Sequence, residues 1–353
     1  MFHKMELVLR FLTLAEATRL RATSKEMCSL VASHPWEEHH LTTHPDLYFQ
    51  CFPEAWTLFA YPKSAFLIPP TVKYLSFAHS DLYDLPELSL RSFTALFCQM
   101  KQLPSFSKLE RLDLTGSVFN PLLLAGFAGV KELVVSGCPT VRAAHLCGFP
   151  LCEKLIARNC SLTDEFLPFM PLLKTLDLQD VVGRFDHYPL PLLEEFATPV
   201  GGIPPLNNFP RLKSLRCSFG ASDSFEHASL KELVVDGALV DVFKLPLLET
   251  LTLRYANLEP LRDLSHLRKL TISQCYFEDS SCLCNLSVDE LVVDHCDLRR
   301  GALSMVRRVE KLCLFCCDVE TLPPCGELFT CACVALKHGL SGHGVSECLA
   351  LAF

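Results

Sequence analysis

The apolar positions of this chain recur. From about residue 70 onward the text follows L-x-x-L-x-L, and one apolar residue in each repeat can serve as its anchor. The anchors run Leu75, Leu96, Leu112, Leu133, Leu155, Leu176, Phe196, Leu215, Leu233, Leu251, Leu270, Leu291, Leu312 and Cys331, which makes fourteen repeats at steps of 16–22 residues. Two residues after the anchor stands a second apolar column, including Phe77, Leu114, Val135, Leu178, Val235, Leu253 and Val293, broken by Thr198. Three residues before it stands a third, including Val72, Phe93, Leu109, Leu173, Leu212 and Leu267. Alternation between the anchor and position +2 has the period of a strand. Each repeat is therefore expected to give one short strand to a parallel sheet. Side chains at −1, +1 and +3 then face away from the core.

Proline adds a second signal. It stands five residues before the anchor at Pro70, Pro150, Pro171, Pro191, Pro210 and Pro246. With no N–H to donate to a sheet, it fits the turn that feeds the strand. Repeats of this length and pattern resemble leucine-rich repeats. The resemblance implies an α/β fold: a solenoid with a curved parallel sheet of about fourteen short repeats, stabilised by stacking neighbours. Repeats this short predict irregular or single helical turns on the opposite side. Position +5, where such repeats carry an inward Asn or Cys, holds Cys138, Cys160, Cys275, Cys296 and Cys317, which are expected to be structural, reduced thiols.

The outward strand positions are the expected concave binding face. Its candidate partner-binding residues are Phe97, Asp113, Arg158, Asp177, Arg216, Asp236, Arg254, Asp294 and Phe315. Both charge signs alternate with apolar residues there, which suits a protein partner.

The N-terminal part reads differently. Leu9, Leu12, Leu20, Met27 and Leu30 lie at helical spacings, and Thr13 opens a T-L-A-E capping pattern. Val8-Leu9, Phe11-Leu12, Glu16, Arg19-Leu20, Ser24-Lys25, Leu30-Val31 and Pro35-Trp36 together resemble an F-box. Leu14 stands where that family has Pro, and Met27 where it has an aromatic. The resemblance implies a small helical segment that docks the Skp-type adaptor of a cullin–RING ubiquitin ligase through Leu9, Leu12, Leu20, Lys25, Val31 and Trp36. The repeats would then select the client protein. The expected organisation is an F-box-like segment over 5–41, then a connector or N-terminal cap over 42–69, with an irregular repeat around Leu58. The repeats follow over 70–336, and a C-terminal cap or tail over 337–353.

Charge and composition narrow the function further. The formal net charge is −8 and half the residues are hydrophobic. No basic footprint for nucleic acid or an anionic membrane is visible, and no apolar run reaches the length of a membrane span. The N-terminus is too charged after Leu14 for a secretory core. Together with nineteen cysteines, this points to a reduced chain in the cytoplasm, or alternatively the nucleus. His34, His39, His40, His44 and Cys51 match no zinc spacing, and no phosphate loop or nucleophile elbow is present. The chain is expected to need no metal or cofactor and to be no enzyme. It is read as the substrate-recognition subunit of a ligase, with a plain repeat scaffold or inhibitor as the alternative.

Overall fold

The architecture follows from how each repeat turns into its strand. An apolar residue six positions before the anchor accepts a hydrogen bond from the N–H three residues later: Cys152 to Phe149 at 3.1 Å, Leu193 to Leu190 at 3.1 Å and Leu212 to Phe209 at 3.0 Å. These are four-residue turns, and the proline column occupies their second place, where its fixed φ fits and no N–H is needed. Both ends of each turn are buried. The chain then runs straight into the strand, so its register is set by the turn.

The computed structural model describes most of residues 71–179, 188–198 and 206–330, with short stretches including 41–42, 57–60, 335–336 and 345–347. The F-box-like residues lie outside these. The chain divides into two units, residues 1–173 with 181–184 and residues 174–180 with 185–353. In the first unit the strands Leu41–Thr42, Thr57–Ala60, Tyr74–Ala78, Ser92–Leu96, Arg111–Asp113, Glu132–Val134 and Lys154–Ile156 pair in parallel, each with the next. In the second, Thr175–Asp177, Glu195–Ala197, Ser214–Ala221, Glu232–Leu239 and Thr250–Arg254 pair likewise. His266–Ser273, Ser287–Asp294, Arg308–Phe315, Cys325–Thr330 and Val345–Glu347 continue the stack. Each of the fourteen expected repeats thus contains a strand, and the pairing also includes strands outside the span 70–336. Between strands the chain forms short 3₁₀ turns, such as Pro121–Phe127 and Asp164–Phe169, and a four-residue α-helix, Ala143–Leu146. Among the described residues no helix is long and apolar enough to cross a membrane.

Eleven of the expected anchors pair in register within their units, Leu112 through Leu155 in the first and Leu176 through Leu312 in the second. Two are corrected. Phe93, not Leu96, pairs with Leu75 and Leu112, and Leu328, not Cys331, pairs with Leu312. In both places the residue read as the third column is the anchor itself. Phe93 is fully buried and packs at 5.3 Å on Phe106, whereas Leu96 is only half-buried.

The core is the stacked interior of anchor, +2 and −3 residues. Leu112, Leu133, Leu155, Leu215, Leu233, Leu251, Leu270, Leu291 and Leu312 are all 0% exposed. Thr198 occupies the +2 column at 3% exposure, and its hydroxyl oxygen has no hydrogen-bond partner. A desolvated, unpaired hydroxyl costs about 1–3 kcal/mol. Thr198→Val, which keeps the shape, is therefore expected to stabilise the protein by about 1 kcal/mol, measured as a higher urea midpoint. An unchanged or lower midpoint would show that the hydroxyl is satisfied after all.

Candidate interaction face

Two columns at the end of each strand fix the geometry of the exposed face. At position +4 the backbone enters the left-handed region in repeat after repeat: His79, Phe97, Gly116, Gly137, Asn159, Tyr255, Gln274, His295 and Cys316 all have φ between 48° and 67°. The reason is a hydrogen bond. In most of these the +4 N–H donates to the +3 carbonyl of the following repeat, as His79 does to Leu96, Phe97 to Thr115, Gly116 to Ser136 and His295 to Phe315, at 2.7–2.9 Å. That bond repeats along the stack and outweighs the roughly 1–2 kcal/mol that a non-glycine residue loses in this conformation.

Position +5 turns inward. Cys138 Sγ donates to the Leu114 carbonyl at 3.0 Å, and Cys160 Sγ to Val135 at 3.1 Å. Cys275, Cys296 and Cys317 reach Leu253, Ile272 and Val293 at 3.5–3.8 Å. In each case the acceptor is the +2 carbonyl of the preceding repeat. Cys275 Sγ also accepts the Ala256 N–H at 3.4 Å, so one small side chain serves two backbone groups. Ser117 does the same in its repeat, donating to Ala95 and accepting from Cys98 N–H. Burial pushes the Cys138 and Cys296 thiols up to about 12, against the partial opposing pull of nearby backbone N–H groups. They remain protonated donors, unsuited to nucleophilic chemistry. The register correction adds Cys98 to this column, as the fifth residue after Phe93, and Ser80 and Ser117 stand in it five residues after Leu75 and Leu112. Sequence reasoning had Cys98 at +2 and missed the serines; the Gly116 and Gly137 pair, each one residue before a +5 residue, was the available signal.

The candidate partner-binding residues fall into the two units. In the first, Asp113 is at +1, accepting from the Thr115 N–H at 3.1 Å and hydroxyl at 2.7 Å, and Arg158 is exposed at +3. Phe97 moves from +1 to +4. There it is 57% exposed, stacked on His79 with ring centroids 5.3 Å apart, and lies against Gly116 so closely that a Cβ would overlap the ring. In the second unit Asp177 and Arg216 are at +1, and Asp236, Arg254, Asp294 and Phe315 at +3. Asp236 and Arg254 pair at 3.6 Å. Asp294 accepts from Ser273 at 3.1 Å and lies 2.7 Å from His295 Nδ1.

Charges at −1 form a ladder across repeats. Glu290 lies 3.2 Å from Lys269 and 3.3 Å from Lys311, and Glu132 lies 3.0 Å from Lys154. Burial would raise the Glu290 carboxyl, but hydrogen bonds from the two lysines outweigh it and hold the group below its ordinary range. Glu290 in turn raises Lys311. The cluster's contribution is present above the ordinary carboxylate pKa and fades as pH falls through the lowered one. At the other end it fades as pH rises through the raised Lys311 value. Lys311 Nζ also lies 5.1 Å from the Phe329 ring centroid. An open depression of about 820 Å³ runs along this row, lined by Thr250, Lys269, Glu290, Arg308, Lys311 and Glu327 among others. Among the described residues no group of three or more His, Cys, Asp or Glu could hold a metal ion.

No family model and no curated protein matches the chain. Among solved structures it is similar to the crystal structure of a TLR13–ssRNA13 complex, with a TM-score of 0.52 and 15% identity, over 90% of this chain and 56% of that one. The chain thus spans little more than half the length of that neighbour. The likeness is one of fold, and together with the repeat geometry it shows a leucine-rich-repeat solenoid, an architecture typical of binding scaffolds.

Proposed function

We propose that this chain is a non-catalytic recognition subunit whose sheet face binds a client protein, and whose N-terminal segment delivers that client to a cullin–RING ubiquitin ligase through a Skp-type adaptor. The observation that carries the first half is the make-up of the exposed rows. In the second unit uncharged residues hold position +1 from Val234 to Phe329, and beside them Lys269, Glu290, Lys311, Asp236 and Arg254 are paired within the face. Such a surface suits a protein partner better than a polyanion. A single-stranded RNA, as in the TLR13 complex, is disfavoured by the net charge of −8. The second half is supported by the resemblance of residues 8–36 to an F-box. The buried, protonated thiols of the +5 column suit a reducing compartment, the cytoplasm or the nucleus.

Co-expression with a Skp-type adaptor, followed by size-exclusion chromatography, tests the ligase half. The wild-type chain is expected to co-elute with the adaptor. Leu12→Asp and Trp36→Ala should each abolish co-elution, and so should removal of residues 1–36, which leaves the paired strand Leu41–Thr42 in place. A wild-type chain that elutes alone removes the ligase half and leaves a repeat scaffold.

A further inference from the structure

The second unit presents one row that differs from its neighbours. Position +1 of six successive strands holds Val234, Thr252, Thr271, Val292, Cys313 and Phe329, each in register with the next; Val234 and Cys313 are buried at 7% exposure and the other four are half-buried. No residue in it is ionisable at neutral pH apart from the thiol. The rows on either side are charged. On the −1 side stand Lys269, Glu290 and Lys311, paired with one another. On the +3 side stand Asp236 with Arg254, and Asp294 with Ser273. One step beyond Val234, the row ends at Arg216, whose neighbour on the other side is Ala197. Arg216 is half-buried, and among the described residues no carboxylate lies within ion-pair distance of it, whereas Lys269, Lys311 and Arg254 on the same face all have one.

From this arrangement we propose that the row is the docking surface for an amphipathic α-helix of the client protein, with a stripe of apolar residues and an acidic side chain near one end that pairs with Arg216. The proposal rests on the reading of this face as the client-binding surface and specifies the client's chemistry. Three arguments select a helix. The strands use their backbone N–H and C=O groups on one another, so the face offers no main-chain partners. An extended segment laid across it would leave its own amides unpaired on desolvation, at a cost of about 1–3 kcal/mol each. A helix satisfies its own. The width also fits: rows −1 and +3 are four residues apart along the strand, about 13 Å, and a helix with side chains is about 10–12 Å across. The length fits too. Six strands at about 4.8 Å spacing give a row of about 24 Å, which about 16 helical residues would cover. Arg216 then supplies the polarity. A guanidinium flanked by Ala197 and Val234, with no carboxylate partner among the described residues, can donate two parallel hydrogen bonds to a carboxylate of the client, which fixes which end of the helix lies at the Arg216 end.

The test is a selection from a randomised 20-residue peptide library displayed on its encoding RNA, with the full-length chain as bait and no adaptor present. Enriched peptides are expected to be helical by circular dichroism when bound, to carry apolar residues on one stripe, and to carry Asp or Glu near one end. Val292→Lys, in the middle of the row, should weaken their binding at least tenfold. Arg216→Glu should do the same and regain binding when the peptide's acidic residue becomes Lys. Both positions face outward, so the variants should melt like wild type; Arg216→Gln serves as a milder substitute if Arg216→Glu does not. The proposal is overturned if no peptide is enriched, if the enriched peptides are extended or lack the acidic residue, or if they bind both variants normally. Because no adaptor is needed, this outcome is independent of the ligase test.

Discussion

Leu251→Asp is expected to abolish cooperative folding of the second unit. Leu251 is 0% exposed and sits in register between Leu233 and Leu270, with intact repeats on both sides. Losing its burial removes about 1.5–3 kcal/mol. Placing a carboxylate there adds the cost of an unpaired buried charge, several kcal/mol more. The sum, about 5 kcal/mol or above, is comparable to the whole stability of many domains. The position multiplies the effect, because in a solenoid each repeat is held only by its neighbours, and a break in mid-stack separates the two halves. Far-ultraviolet circular dichroism against temperature should show the wild-type transition lost or greatly lowered. Thr252→Asp, one residue along, points outward on the half-exposed face and should shift the midpoint by no more than about 1 kcal/mol's worth. If the Leu251→Asp variant melted like wild type and the Thr252→Asp variant did not, the strand would be turned over by one residue.

That contrast between adjacent residues was legible because burial alternates along Thr250–Arg254, as it does along Ser92–Leu96, although Val134, Val234 and Cys313 at +1 are buried as well. Most anchors could be read from leucine spacing alone, since an all-parallel stack repeats the same three apolar columns and a wrong choice soon collides with the next repeat. The two failures have a common cause. In Ser92–Leu96 and in Cys325–Thr330 the text offers two anchors three residues apart, Phe93 or Leu96 and Leu328 or Cys331, and leucine-like appearance favours one in the first pair while spacing favours the later one in the second. Signals that decide correctly were present. Choosing Phe93 makes the adjoining steps 18 and 19 residues rather than 21 and 16, and Pro323 stands five residues before Leu328, in the proline column. The wrong choice also hid Cys98 from the +5 column and placed Phe97 on the sheet face instead of at its rim.

The exposed face was only partly legible. Which side chains point outward follows from strand period, so Asp113, Arg216, Asp236 and Arg254 fall on the face where the sequence put them. Which of them are already neutralised does not follow, because it depends on the lateral neighbour about twenty residues away in sequence. The Glu290 bridge between Lys269 and Lys311 joins three repeats, and Arg216, which among the described residues has no carboxylate partner, has Ala197 and Val234 as its lateral neighbours in two others. The left-handed +4 column was missed for a similar reason. Seven of its occupants are not glycine, and it is the recurring hydrogen bond to the next repeat, not residue type, that holds them in that conformation.

Phe93→Ala is expected to cost about 3–5 kcal/mol, and Leu96→Ala no more than about 1 kcal/mol. Phe93 is completely buried between Phe77, whose ring centroid is 6.3 Å away in an edge-on arrangement, and Phe106 at 5.3 Å. Removing the ring leaves a cavity that three neighbouring repeats share, and a stack constrained by strand pairing on both sides has little freedom to collapse into it. Leu96, at +3, lies half-exposed on the sheet face, where truncation removes little that water cannot replace. Urea denaturation of the two variants side by side decides the register of the first unit. Were Leu96 the anchor, its replacement by alanine would cost about 2–5 kcal/mol and Phe97 would stand on the sheet face. A large loss at Phe93 with a small one at Leu96 instead places the Phe97 ring at the rim, stacked on His79, and leaves Thr94 as the outward residue between Ser76 and Asp113.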